Sequence, residues 1–451
     1  MVSLFPRGLL ALALLVASCA PLPEAQRLEP SNQPLPESLV SHPARSFQYA
    51  RANADIARDF AELTFQMENG RPLPVLSRFE APISLALAGK VPASTERDLS
   101  DLIARLRSEA GIDIARTSGP AAITVEFISR ATLQAVVPQA ACFVVPNVSS
   151  WAEYRQARRN PRVDWAGVVV RRQAAVFIPL DTSPQEIRDC LHEEIAQAIG
   201  PLNDLYRLSD SIFNDDNFRT TLTPLDMLVL RLIYAPELAS GMTRAEVMGR
   251  LPGILARLHP QGEGIAGQTA SPTPRAWIDA IEKALAAKSG NPGRRGAAER
   301  AVSIAEQQGW SDSRMAFSLF ILGRLSLSAK SDAALTSLTA AGRIYQGLPD
   351  AGPQLAHVDL QLAAIALASD RAEDALALTN RALPIVAGAE NAALMASFLL
   401  IKSEALDQLG RPSEGRAVLL DSRAYARYGF GAETEARARQ GDIAALSANQ
   451  G

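Results

Sequence analysis

Between Thr182 and Gly200 the chain spells out a helix from cap to stop, and no other segment constrains the fold as tightly. Ser183 stands at the N-cap position and Pro184 at the first helical position, where a missing N–H costs nothing. Glu186 follows three residues after the cap, placed to return its carboxylate to the cap's own N–H. Ile187, Leu191, Ile195 and Ala198 then recur at helical spacing and form an apolar stripe. Glu193 and Gln197 share another face, one turn apart, and Gly200 ends the run.

The eleven residues from Glu193 to Asn203 keep the spacing of the zinc signature H-E-x-x-H-x-x-G-x-x-H, and so resemble metzincin peptidases from which every histidine is gone. Glu194 holds the general-base position and Gly200 the helix-ending one. The three ligand positions carry Glu193, Gln197 and Asn203. Downstream, Ser211-Ile212-Phe213-Asn214 stands where metzincins make their methionine turn, with Phe213 in place of the methionine. Leu222-Thr223-Pro224-Leu225-Asp226 then opens a run ending at Tyr234 that resembles the helix closing a metzincin domain. With the acidic run Asp210 to Asp216 and Gly241-Met242 added, residues 46 to 258 resemble the DUF2927 family of bacterial lipoproteins. Members share the Glu-Glu and Gln in place of the histidines and have no established activity. The resemblance implies an α+β metzincin-like domain, a twisted mixed sheet with the motif helix packed beneath it.

Catalytic zinc needs three protein ligands and one open position. The chain has 4 His: His42, His192, His259 and His357, of which only His192 is near the motif. Reading the signature from His192-Glu193 puts Ala196 at the second histidine, so that register fails as well. Zinc is therefore not expected, and no cofactor is assigned. Glu193, Gln197, Asn203 and Asp204 offer oxygen atoms, which suit calcium or another hard cation better. Three readings stay open. The polar residues line an old cleft, with Asn203 and Asp204 capping the helix end; or the cleft is repurposed to bind a peptide, glycan or ion; or Glu194 serves as general base in an active metal-dependent hydrolase with Glu193 among its ligands. The run Asp210 to Asp216 lacks the ligand spacing of an EF-hand and reads as a solvated loop.

The amino terminus points to a compartment. Arg7 precedes the apolar run Leu9 to Leu15, too short to span a bilayer but suited to the core of a signal peptide. Val16-Ala17-Ser18-Cys19 resembles the bacterial lipobox, which makes residues 1–18 the signal and Cys19 the lipidated mature terminus. Ala20 is not the aspartate that retains lipoproteins at the inner membrane, so the expected location is the outer membrane, facing the periplasm. Residues 19–45 form a Pro-rich tether. Of 3 Cys, one is used by lipid, leaving Cys142 and Cys190 either as a disulfide or as two buried thiols.

With 451 residues and a net charge of -3, the chain is long enough for two domains and has no charge bias toward nucleic acid. In the first, helix is expected over 46–70, strand over Ile83–Leu87, and an amphipathic helix through Leu99, Leu102, Ile103 and Leu106. Strands are expected over Cys142–Pro146, Ile123–Ile128 and Ala174–Pro179. Residues 259–274, rich in Pro and Gly, read as a linker. Beyond it, residues 275–451 are helical throughout. Ala375, Ala377 and Leu378 after Arg371 match Gly415, Ala417 and Val418 after Arg411, a period of about 40 residues that resembles tetratricopeptide-like helical repeats. Helices near 313–329, 353–369 and 391–409 would open successive pairs, with Gly323, Ala363 and Ala366 allowing close approach; a non-repeating bundle is the alternative. Such an array holds a protein or peptide partner on its surface. The expected function is binding within the cell envelope, with the membrane reached through lipid at Cys19.

Overall fold

The computed structural model describes residues 36–39, 51–268, 270–286, 291–327 and 331–448. They fall into two units, residues 42–270 and residues 271–451 together with 1–41. The expected signal peptide, Cys19, His42 and most of the tether lie outside the described residues. Among those described, no helix is long and apolar enough to cross a membrane.

Period-two alternation builds the sheet of the first unit. Strands β1 (Ile83–Gly89), β2 (Ile114–Arg116), β3 (Ile123–Ile128), β4 (Phe143–Pro146) and β5 (Ala174–Pro179) run in the order β2-β1-β3-β5-β4. The first four are parallel, with Val125 beside Val176, and β4 closes the edge antiparallel to β5. Every residue of β5 is buried. Its alternate side chains serve two cores: Ala174, Val176 and Ile178 face the main one, Ala175 and Phe177 a smaller one with Phe143 and Trp151. Helices α1 (Asn53–Phe65), α2 (Thr95–Ala110), α5 (Pro184–Ile199), α6 (Pro224–Ile233) and α7 (Arg244–Leu258) supply the main core, and the short α3 (Arg130–Gln134) and α4 (Trp151–Ala157) the smaller one. This is a mixed α/β domain, as expected.

Three features bear on the site, the third of them expected. Helix α1 stops at Phe65 rather than 70, because the chain turns back and Leu73 N–H donates to the Phe65 carbonyl at 2.9 Å; Gly70, at φ +80°, completes that turn, and Glu68 rides on it. The expected linker is not loose along its first part: Gln268 N–H donates to both carboxylate oxygens of Asp55 (2.9 and 3.1 Å), and Arg58 donates to the Gln268 carbonyl. Third, Cys142 and Cys190 are joined in a disulfide, with Cα atoms 6.1 Å apart, which ties α5 to the start of β4.

Residues 275–448 form nine helices among the described residues: α8 (Arg275–Leu285), α9 (Asn291–Gln307), α10 (Ser313–Ser326), α11 (Ser331–Gly347), α12 (Gly352–Leu367), α13 (Ala372–Gly388), α14 (Ala392–Gln408), α15 (Pro412–Phe430) and α16 (Glu433–Ala448). Successive helices pack on one another. Gly323 permits one such approach, since a Cβ there would meet Leu338 at 2.7 Å. The described part of the expected tether belongs to this unit. Glu37–Leu39 make one 3-10 turn, and Leu39, 1% exposed, is buried in a cluster with Ala356, Ala382, Val386, Phe398 and Tyr428.

Candidate functional site

Helix α5 begins as its sequence requires: Ser183 Oγ accepts from Glu186 N–H at 3.2 Å, and Glu186 returns its carboxylate to Ser183 N–H. Its apolar stripe, Ile187, Leu191, Ile195 and Ala198, is fully buried. Its far end is closed by a residue the sequence reading missed. Arg171, buried just before β5, donates to the carbonyls of Gln197 (2.7 Å), Ala198 (2.8 Å) and Gly200 (2.6 Å), and its guanidinium lies 4.8 Å over the Trp165 ring. Burial brings its pKa down to about 10, so it stays charged at neutral pH and satisfies three carbonyls that the helix end leaves open. Gly200 allows the close turn, as a Cβ there would strike Leu230 at 2.6 Å.

The degenerate signature positions do not converge as zinc ligands would. Asn203, at the third histidine position, donates its amide to the Glu62 carbonyl at 3.0 Å. His192 accepts from Leu222 N–H through Nδ1 at 3.2 Å, a structural tie between α5 and the approach to α6. Phe213 is wholly buried, and its carbonyl accepts from Leu205 N–H at 2.9 Å. Among the described residues, no three or more His, Cys, Asp or Glu are placed to hold a metal ion.

What does assemble is a group of carboxyl groups around Gln197. Glu193 comes from α5, Asp204 from the segment after Gly200, Asp215 from the acidic run, and Glu68 from the turn after α1. Backbone pairing brings these segments together: Leu202 N–H donates to the Leu63 carbonyl and Glu68 N–H to the Leu202 carbonyl, both at 3.2 Å. Glu68 is exposed, and Glu193, Asp204 and Asp215 are half-buried. Gln197 hydrogen-bonds to Glu68, and Asp204 lies within hydrogen-bonding reach of Glu68, a contact two carboxyl groups use only by sharing a proton. Glu194, 4% exposed, lies behind them within the electrostatic reach of Glu193 and Glu68, and its Oε2 has no hydrogen-bond partner.

The electrostatics follow from that crowding. Burial raises Glu193 to about 8, with the charges of Asp215 and Glu68 adding to it. Burial, then Glu193 and Glu68, hold Glu194 well above the usual carboxylate range. Asp204 is raised in the same way by burial and by Asp215, Glu68 and Glu193. Burial and the neighbouring charges thus favour the protonated form of Glu194, which works against a ready base.

The acidic run was expected as a solvated loop, and it is instead mostly buried. Asp210 pairs with Arg51 at 3.1 Å, Asn214 donates to the Leu208 carbonyl, and Asp216 accepts from Phe218 N–H. Only local Asx-type bonding and pairing with distant residues explain this, and neither shows in a run of acidic letters. Glu68, far away in sequence, carried no signal at all.

No curated protein and no solved structure matches this chain. Residues 53–253 match the family described as a protein of unknown function, DUF2927. The match spans α1 to most of α7 and includes α5, its arginine cap and every carboxyl group of the cluster, so it is this segment of the chain that is assigned to the DUF2927 family.

Proposed function

We propose that this protein is an envelope lipoprotein that works by binding. Its first domain is a metzincin-like fold whose zinc ligands are gone, and its tetratricopeptide-like helical unit is the surface that holds a protein or peptide partner. The observation that carries this reading is the seat of Leu39: a short turn of the tether is already held on the helical unit by one apolar side chain. Burying such a side chain is worth about 2 kcal/mol. With Cys19 lipidated in the outer membrane and facing the periplasm, the 17 residues to Pro36 span at most about 60 Å, so this seat keeps the helical unit near the membrane surface.

The hydrolase alternative has less support. A general base must be deprotonated, and burial, with Glu193 and Glu68 beside it, raises Glu194 well above the usual carboxylate range; Asn203 and His192 Nδ1 are engaged with backbone groups. The test is a fluorescent peptide of residues 33–42 titrated onto the mature chain carrying Leu39→Asp. Saturable binding, abolished when the peptide's own leucine is replaced by aspartate, is the expected result. Absence of binding to a variant that circular dichroism shows folded would remove the support.

A further inference from the structure

We propose that the cleft lined by Glu68, Glu193, Gln197, Asp204 and Asp215 binds an N–H-bearing organic cation, the guanidinium or ammonium group of a basic ligand. This inference is independent of the helical unit, so either can fail alone.

Three observations lead to it. The first is the unmet bonding capacity of the site. Oε2 of Glu194 is buried without a hydrogen-bond partner, and the buried carboxylate oxygens of Asp204 meet only the carboxyl group of Glu68. A buried acceptor without a donor is costly, and a cluster with several of them is satisfied only by something that brings donors. A guanidinium carries five N–H donors and an ammonium three.

The second is the spacing. The carboxyl groups stand around Gln197 on four separate segments, and among the described residues they are not gathered at one point as ligands of a bare ion are. That arrangement suits a flat or extended cation bonded along its edges, as in paired arginine–carboxylate contacts. The third is access. Glu68 is exposed at the mouth and Glu193, Asp204 and Asp215 are half-buried, while Glu194 forms the closed end. A side chain can therefore enter head first, with its charge meeting carboxyl groups progressively deeper. The neighbouring arginines are already engaged: Arg207 with Asp59 at 2.6 Å and Glu62 at 2.8 Å, and Arg51 with Asp210.

The experiment is calorimetric titration of the mature chain, residues 20–451, at low ionic strength. The probes are the blocked tripeptide Ala-Arg-Ala, the same peptide with neutral citrulline for arginine, spermidine, and calcium chloride. Saturable binding of the arginine peptide is expected, weakened at least about tenfold for citrulline and by Glu193→Gln or Asp204→Asn in chains that melt as cooperatively as the parent. Tighter binding of spermidine than of the peptide would support the same site and assign it to a free polyamine. Saturable binding of calcium without either organic cation would overturn the proposal in favour of a metal site. No binding of any probe would overturn it in favour of a purely structural cluster.

Discussion

Helices α5 and α6 begin and end with the same devices and differ only between them. Each opens with a hydroxyl cap, a proline and an acid that closes a capping box: Ser183, Pro184 and Glu186 in one, Thr223, Pro224 and Asp226 in the other. Each ends on a buried arginine, since Arg78 donates to the carbonyls of Ile233 (2.7 Å) and Ala235 (3.1 Å) much as Arg171 serves α5. The two arginines are themselves neighbours, with Arg171 N–H donating to the Arg78 carbonyl. Between its ends α6 is almost wholly apolar, from Leu225 through Leu232, and its one buried acid is fully used: Asp226 accepts from Ser211 Oγ at 2.5 Å, Ile212 N–H at 3.1 Å and Thr223 N–H at 2.7 Å. The same stretch of α5 carries Glu193, Glu194 and Gln197, and Oε2 of Glu194 is buried without a hydrogen-bond partner. The ends of both helices are explained by folding, so the middle of α5 is where folding stops being a sufficient account.

The comparison can be sharpened by removing matched parts. Arg171→Ala should cost the most, about 4 kcal/mol or more, because it leaves three buried carbonyls without a donor; Arg78→Ala should cost less, as Arg78 serves two carbonyls and spends its remaining charge on half-exposed Glu80. Urea denaturation of the two variants checks this, and equal costs would break the parallel as drawn. Next comes the disulfide, a device α5 has and α6 lacks. Replacing Cys142 and Cys190 by alanine opens a link across a sequence separation of 48 and should cost about 2–4 kcal/mol, read from the same denaturation curves. A loss well under 1 kcal/mol would mean that packing alone holds α5.

The smallest effect is on pH dependence. Glu193 is raised from the ordinary glutamate range to about 8, so between roughly pH 4.5 and 8 the folded chain binds more protons than the unfolded one. Stability from this group is full below the unfolded value and is lost as pH rises through 8. Asp226 of α6, raised only to about 6 because its hydrogen bonds oppose burial, has finished titrating by neutral pH. Melting temperature should therefore fall between pH 6.5 and 8.5, and Glu193→Gln should flatten that slope while Asp226→Asn should not. A slope unchanged by Glu193→Gln would detach the cluster from the effect.

Much of this was legible in local spacing. Both capping boxes, the strands at 83, 123 and 174, the pairing of Cys142 with Cys190 and the helices opening at 313, 352 and 392 each rest on residues within a turn or two of one another, or on there being too few cysteines for another choice. What escaped depends on distant partners. Strand β2 is three residues long and exists because Ile114 sits beside Ile83. Helix α7 carries Pro252 in its interior, which argues against helix in any local reading. Arg171 is one basic residue beside another, Arg172, until the fold carries it to the end of α5. Glu68 and Leu39 read as surface and tether residues, and only tertiary contact sets one beside Gln197 and Asp204 and makes the other a core residue.

The account rests most on the claim that the α5 cluster is not a zinc centre, and the direct test is the transition-metal content of residues 20–451 purified without chelators. The account predicts zinc far below one equivalent, unchanged by Glu193→Gln. About one equivalent of zinc, lost in that variant, would contradict it and return Glu194 to the role of general base.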